Sequence, residues 1–125
     1  MSENKKIVEK YIEGFRENDH EKILSCLTED IVWEMAGIYR HVGKEEFAKE
    51  INNENFVGAP TIQILRIVEE DNIVIAEGAV QAMMKNGNRL DAVFCDVFLM
   101  ESARIKQLTS YLMPKNASII LDERY

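Results

Sequence analysis

Two cysteines are too few for a disulfide scaffold, and Cys26 and Cys95 form no Cys-x-x-Cys redox or metal motif. Both read as reduced, buried small hydrophobes. Histidine is equally scarce: His20 and His41 share no helical face, so no metal centre is expected. Basic residues are outnumbered, 15 Lys and Arg against 22 Asp and Glu. The resulting formal net charge of −7 argues against a surface for nucleic acid or an anionic membrane. No apolar run approaches the roughly 20 residues of a membrane span, and the N-terminal MSENKKIVEK has no apolar signal-peptide core, so a cytoplasmic location is expected. Glycines do not cluster. Gly43, ahead of KEEF, therefore reads as a helix start and not as a phosphate loop, and no nucleotide, metal or other cofactor is expected.

What remains suits one ordinary globular domain. At 125 residues, 46% hydrophobic and 30% charged, the chain can bury a core but is too short for a second one. From Asn4 to Asn18, Ile7, Val8, Tyr11, Ile12 and Phe15 fall on one helical face and predict a first helix. Asp19 is placed to cap a second helix in NDHEKILSCL. TEDIVWEMAG predicts a short strand ending at Gly37, IYRHV a loop, and GKEEFAKEINN a third helix in which Phe47 and Ile51 stand one turn apart.

Beyond that helix the period changes. TIQILRIVEE, NIVIAEGAVQAMMK, RLDAVFCDVFLM and RIKQLTSYLM read as strands, broken at Asp71-Asn72, Asn86-Gly87-Asn88 and Ser102-Ala103. Helices ahead of a hairpin-linked antiparallel meander predict an α+β domain, with the helices on one face of a curled sheet. The tail KNASIILDERY carries no decisive pattern.

One strand holds a carboxylate where none is expected. In DAVFCDVFLM, Asp96 shares a face with Ala92, Phe94, Phe98 and Met100, while Val93, Cys95, Val97 and Leu99 make the other face equally apolar. A buried carboxylate must be paired, hydrogen-bonded or protonated. Asp96 therefore reads either as a pocket acid with a raised pKa or as a structural carboxylate held by a donor. The strand before it is also apolar on both sides: Val74, Ala76, Val80 and Ala82 oppose Ile73, Ile75 and Met83. Covering the outer side with a second copy would explain this, so a homodimer is expected.

Taken in order, KYIEGFRENDHEKILSCLTEDIVWEMAG, GKEEF and DVFLMESARIKQLTSYL resemble the SnoaL-like and ketosteroid-isomerase-like members of the nuclear transport factor 2-like superfamily. The resemblance spans residues 3–113, the core of a single SnoaL-like domain over residues 1–125 with a tail at 114–125. It implies a curved antiparallel sheet wrapped by three helices into a cone around a pocket, usually in a homodimer joined through the open sheet face. In the ketosteroid isomerases, a first-helix tyrosine and a protonated aspartic acid on the penultimate strand donate hydrogen bonds to an enolate oxygen, while a first-strand aspartate shuttles the proton. By resemblance these positions fall on Tyr11, Asp96 and Met35. Methionine takes no proton, so the isomerase pattern lacks its base here.

Trp33 and Met35, on one strand face, would line the cone as wall or as core, and Phe94, Phe98, Phe47 and Ile51 would complete an apolar lining around a small apolar ligand. His41, in the loop before the third helix, is the histidine nearest the expected mouth; it reads as a catalytic candidate beside Asp96 and Tyr11, or as a solvated loop residue. Glu34 alternates to the outside. Two functions stay open. One is a pocket that binds a small hydrophobic molecule. The other is a cofactor-independent acid–base enzyme, of isomerase, cyclase or lyase type, acting on a small carbonyl compound.

Overall fold

The structure, a computed structural model, describes residues 2–52 and 55–115, so the tail from residue 116 onward lies outside the described residues. Helix α1 (Glu3–Arg16) starts at Ser2, whose side chain accepts from the Lys5 amide, and buries the stripe Val8, Tyr11, Ile12. Helix α2 (His20–Ser25) starts at Asp19, which accepts from the Lys22 amide. The two helices touch at Gly14, where a Cβ would stand 2.7 Å from an Ile23 side-chain carbon. Strand β1 (Leu27–Met35) follows, and then α3 (Lys44–Ile51) after an intervening segment.

That intervening segment departs from the loop expected for IYRHV. Tyr39–Val42 form a strand, β2, which folds back antiparallel on β1 and pairs Trp33 with His41 and Met35 with Tyr39. Gly37, at φ 78°, makes the reversal that a Cβ-bearing residue would resist. The predicted meander then runs as β3 (Phe56–Glu70), β4 (Ile73–Met84), β5 (Arg89–Glu101) and β6 (Arg104–Pro114).

The six strands lie in one sheet in the order β2-β1-β6-β5-β4-β3. Neighbours within the meander are antiparallel, as expected, but β1 runs parallel to β6, so the sheet is mixed. Register shifts between Leu27 and Val32, between Ile64 and Arg66, and between Leu99 and Met100 mark bulges that bend the strands and curl the open sheet around the helices. The concave side holds the core, with Leu27, Ile31, Phe47, Val74, Phe98, Ile105 and Leu108 all buried.

Gly78 sets the inner shape of this concavity. A Cβ there would meet the Gln63 carbonyl oxygen at 2.3 Å and the Phe94 ring at 2.9 Å, so its absence lets that ring lie against β4. The convex side is different: Leu65, Tyr111 and Met113 are all more than half exposed, at 58%, 53% and 65%. Among the described residues, no helix is long and apolar enough to cross a membrane.

Candidate functional site

The concave face holds a half-open cavity of about 150 Å³. Ile12 and Phe15 of α1, Met35 of β1, Ile62 of β3 and Phe94 of β5 supply much of its apolar wall. Tyr11, Trp33, Asp96 and Ser110 bring polar groups to it. Strand pairing explains how the last two meet. Asp96, midway along β5, stands opposite Ala76 on one side and Ser110 on the other. Directly opposed side chains share a face with Cβ atoms only about 5 Å apart. The small Ala76 leaves Asp96 room, and Ser110 brings a hydroxyl alongside it.

Ser110 is itself held from behind. The Trp33 indole Nε1 donates to its Oγ at 3.1 Å, across the parallel β1–β6 pair. Trp33 in turn stacks on Phe47 with ring centroids 4.4 Å apart and meets Tyr39 edge-on at 5.3 Å. Tyr11 is fixed by edge contacts to Phe15 at 5.1 Å and Phe98 at 5.5 Å. Thus the polar groups are carried on a helix and on strands, two of them braced by packed aromatic rings, and not on loops.

This environment governs protonation. Asp96 keeps part of its surface open toward the cavity, yet burial pushes its carboxyl up to about 7, with only the neighbouring Ser110 hydroxyl pulling the other way. Near neutrality it is therefore divided between acid and carboxylate. The Tyr11 hydroxyl is pushed well above its ordinary value, chiefly by burial and next by the nearby Asp96 charge, and stays a neutral donor. Tyr11 and Asp96 face the same cavity but, among the described residues, no hydrogen bond joins them. The side chain that stands directly opposite Asp96 on the neighbouring strand is Ser110.

The other candidates divide. Trp33, Met35 and Phe94 line the cavity with Tyr11 and Asp96. Phe98 and Phe47 are fully buried behind it and serve as supports for Tyr11 and Trp33. Ile51 stands farther out, on a vestibule of about 510 Å³ that shares Phe15, Trp33, Met35 and Val80 with the cavity. His41 does not reach the cavity. As a β2 residue it lies one strand beyond Trp33, its Nε2 2.8 Å from Glu50 Oε1 and its ring 4.5 Å from Tyr39, where it ties β2 to α3.

A groove between α1 and β3, at about 540 Å³, is larger than the cavity, but Lys6, Glu9, Lys10, Glu13 and Arg16 wall it with charges of both signs. Its Arg16–Glu13 pair, at 3.0 Å, is a part-exposed ion pair on one helix and contributes little. Ser110 was not among the residues expected from sequence, although it is a buried polar side chain in an apolar run.

An unclosed, curved six-stranded mixed sheet curled around N-terminal helices is the nuclear transport factor 2-like fold. Within it the chain belongs to the SnoaL-like domain family, whose sequence profile matches residues 8–108. A search of curated proteins by sequence gives no match. Among solved structures, an epoxide hydrolase of the LEH-like kind from M. tuberculosis superposes with a TM-score of 0.80 at 19% identity, over 98% of this chain and 97% of that one. A nuclear transport factor 2-like protein of unknown function from Burkholderia pseudomallei gives a TM-score of 0.83 at 19% identity, over 97% of each chain. TerC, crystallised with polyporic acid, gives 0.78 at 16% identity, over 96% of this chain and 97% of that one. At these identities the likeness is one of fold.

Proposed function

We propose that this SnoaL-like protein binds a small, mostly hydrophobic molecule in its cone, with one polar end of the ligand turned toward Asp96. The carrying observation is a carboxyl with a pKa pushed up to about 7 inside an apolar cavity of about 150 Å³. Such a group has a neutral form at physiological pH that an apolar ligand can meet without stripping water from a charge. A cavity of this order suits a six-membered ring, and the vestibule gives space for a longer substituent. A cytoplasmic setting agrees with the two free cysteines.

Trp33 is the one tryptophan in the sequence and lines the cavity, so it reports on occupancy. Titration with cyclic ketones is expected to change its fluorescence saturably, and Phe94→Ala should weaken binding by reshaping the wall. Absence of any saturable change with ketones of graded size would count against the reading.

The acid–base alternative rests on the same group, because a carboxyl titrating near 7 can both take and return a proton. Deuterium appearing next to the carbonyl of a bound ketone in heavy water, and lost in Asp96→Asn, would favour it.

The convex face supports a homodimer. Leu65, Val93, Cys95, Tyr111 and Met113 edge a shallow depression of about 470 Å³, with Ile38 beside them. The neighbouring charges Arg66 and Glu77 are paired internally at 2.6 Å and ask for no oppositely charged partner. A second copy brings the same apolar, charge-neutral patch, which is what an isologous contact requires. Light scattering at micromolar concentration is expected to give twice the chain mass, and Tyr111→Lys together with Met113→Lys should halve it. A wild type with the mass of one chain would contradict the dimer.

A further inference from the structure

The cavity joins two chemistries that a neutral ligand does not need together. Four aromatic rings stand in its lining, Tyr11 and Phe15 from α1, Trp33 from β1 and Phe94 from β5, and among them stands one carboxyl, Asp96. The described lining contains no lysine, arginine or histidine, so Asp96, once ionised, has no protein cation beside it in the cavity. Burying that charge is costly, and a cation on the ligand would offset the cost by pairing with it. The rings add a second attraction. An aromatic face draws a cation lying within ~6 Å of its centroid, and a space of about 150 Å³ keeps any occupant close to its walls. The formal net charge of −7 acts in the same direction, because it raises the concentration of cations around the protein.

The polar inventory narrows the kind of cation. A primary ammonium brings three N–H donors, whereas the side-chain acceptors of the lining are the Asp96 carboxylate and the hydroxyl oxygens of Tyr11 and Ser110, the last already accepting from Trp33 Nε1 at 3.1 Å. A tertiary ammonium has one N–H. The carboxylate alone satisfies it, and the alkyl groups meet Ile12, Met35, Ile62 and Val80. Other charged groups stand outside the cavity: His20, Glu50 and Lys85 line the vestibule, and His41 is bonded to Glu50 at 2.8 Å. Tyr11 from α1 and Tyr39 from β2 are pushed up by burial and stay neutral. Cys95, also pushed up, and its cross-strand partner Glu77 lie on the opposite face of the sheet.

We infer that the cone is a site for a small tertiary amine taken up as its ammonium ion, with Asp96 as the counter-ion and the four rings as its walls. The inference rests on the reading of the cone as a binding site and names the ligand class of that site. Since Asp96 titrates near 7, such a ligand displaces a proton when it binds below that value.

N-methylpiperidine, a six-membered tertiary amine that stays protonated near neutrality, is the probe, and cyclohexanone is its neutral counterpart. With ionic strength held by sodium chloride, the amine is expected to change Trp33 fluorescence saturably. It should bind about thirtyfold more tightly at about pH 8.5 than at about pH 5.5, the ratio of ionised Asp96 at the two values. Calorimetry at about pH 6 in two buffers of different protonation enthalpy should show about one proton released per amine bound. Asp96→Asn should lose both the pH dependence and most of the affinity. Phe15→Leu keeps a half-buried apolar side chain without a ring, and should weaken the amine about fivefold while changing cyclohexanone about twofold at most. Saturable binding of cyclohexanone, with none of the amine at either pH, overturns the ammonium site and leaves the binding reading standing. Amine binding that ignores pH, or that survives in Asp96→Asn, overturns Asp96 as the counter-ion. Equal losses of amine and ketone in Phe15→Leu overturn the part given to the rings. If neither ligand binds, the binding reading is overturned and this inference falls with it.

Discussion

At pH 8, Asp96→Asn is expected to be more stable than the wild type by up to about 4 kcal/mol, while near pH 4 the two proteins should unfold alike. The sign follows from the raised carboxyl. In the unfolded chain Asp96 loses its proton near its ordinary value of 3.8, whereas the folded protein holds it up to about 7. Below the lower value both states are protonated and Asp96 costs nothing. As pH rises through the interval the unfolded state sheds its proton first, so stability falls, and above about 7 the full cost is present. Roughly three pH decades at about 1.4 kcal/mol each set the upper bound. Asparagine keeps the size and a polar group but never ionises. Urea denaturation of both proteins at the two pH values is the check; an equal gap at both would mean that burial does not govern this carboxyl.

Gly78→Ala is expected to lower the melting temperature by about 10 °C and to remove ligand binding even where the protein is still folded. The added methyl would sit 2.3 Å from the Gln63 carbonyl oxygen and 2.9 Å from the Phe94 ring. Relief at the carbonyl requires β3 and β4 to part along their pairing, because Gln63 and its neighbours are held to β4 by backbone bonds. Overpacking of this kind costs about 1–3 kcal/mol, and a backbone clash belongs at the upper end. At a few degrees per kcal/mol for a domain of this size, that gives the stated shift. Relief at Phe94 moves the ring into the cavity it now walls. Calorimetry together with ketone titration measures both effects, and an unchanged melting temperature would show that β3 yields freely.

The two variants bear on features that differed in how far the sequence disclosed them. Helices α1 and α2 were legible because the apolar stripe of the first and the Asp19 cap of the second are local signals, whereas the Ser2 cap of α1 was not read from the sequence. Strand β2 was not: it is four residues long, and Arg40 and Val42 face outward, so IYRHV carries too little alternation. The parallel β1–β6 pair leaves no mark because no turn joins its strands. Asp96 announced itself as a charge on an apolar face. Ser110 stayed hidden because the bulge near Met100 shifts the phase of β6. Ile105 and Leu108 are both buried although they stand an odd number of positions apart, so strict alternation counted from Ile105 points Ser110 outward. His41 was read as a loop residue for a related reason, since its placement against Glu50 depends on β2 being a strand.

The β1–β6 pairing also fixes when the site can come into being. A ribosome makes Trp33 long before residues 104–114, and until those residues exist the indole has no Ser110 oxygen to meet and β1 has no neighbour on that side. Closing so long a loop is slow, and the exposed strand edge is open to wrong partners in the meantime. The nascent chain must therefore carry half of the cavity wall as an unfinished surface, and a chain truncated before β6 would lack Ser110 and Leu112 and with them one side of that cavity.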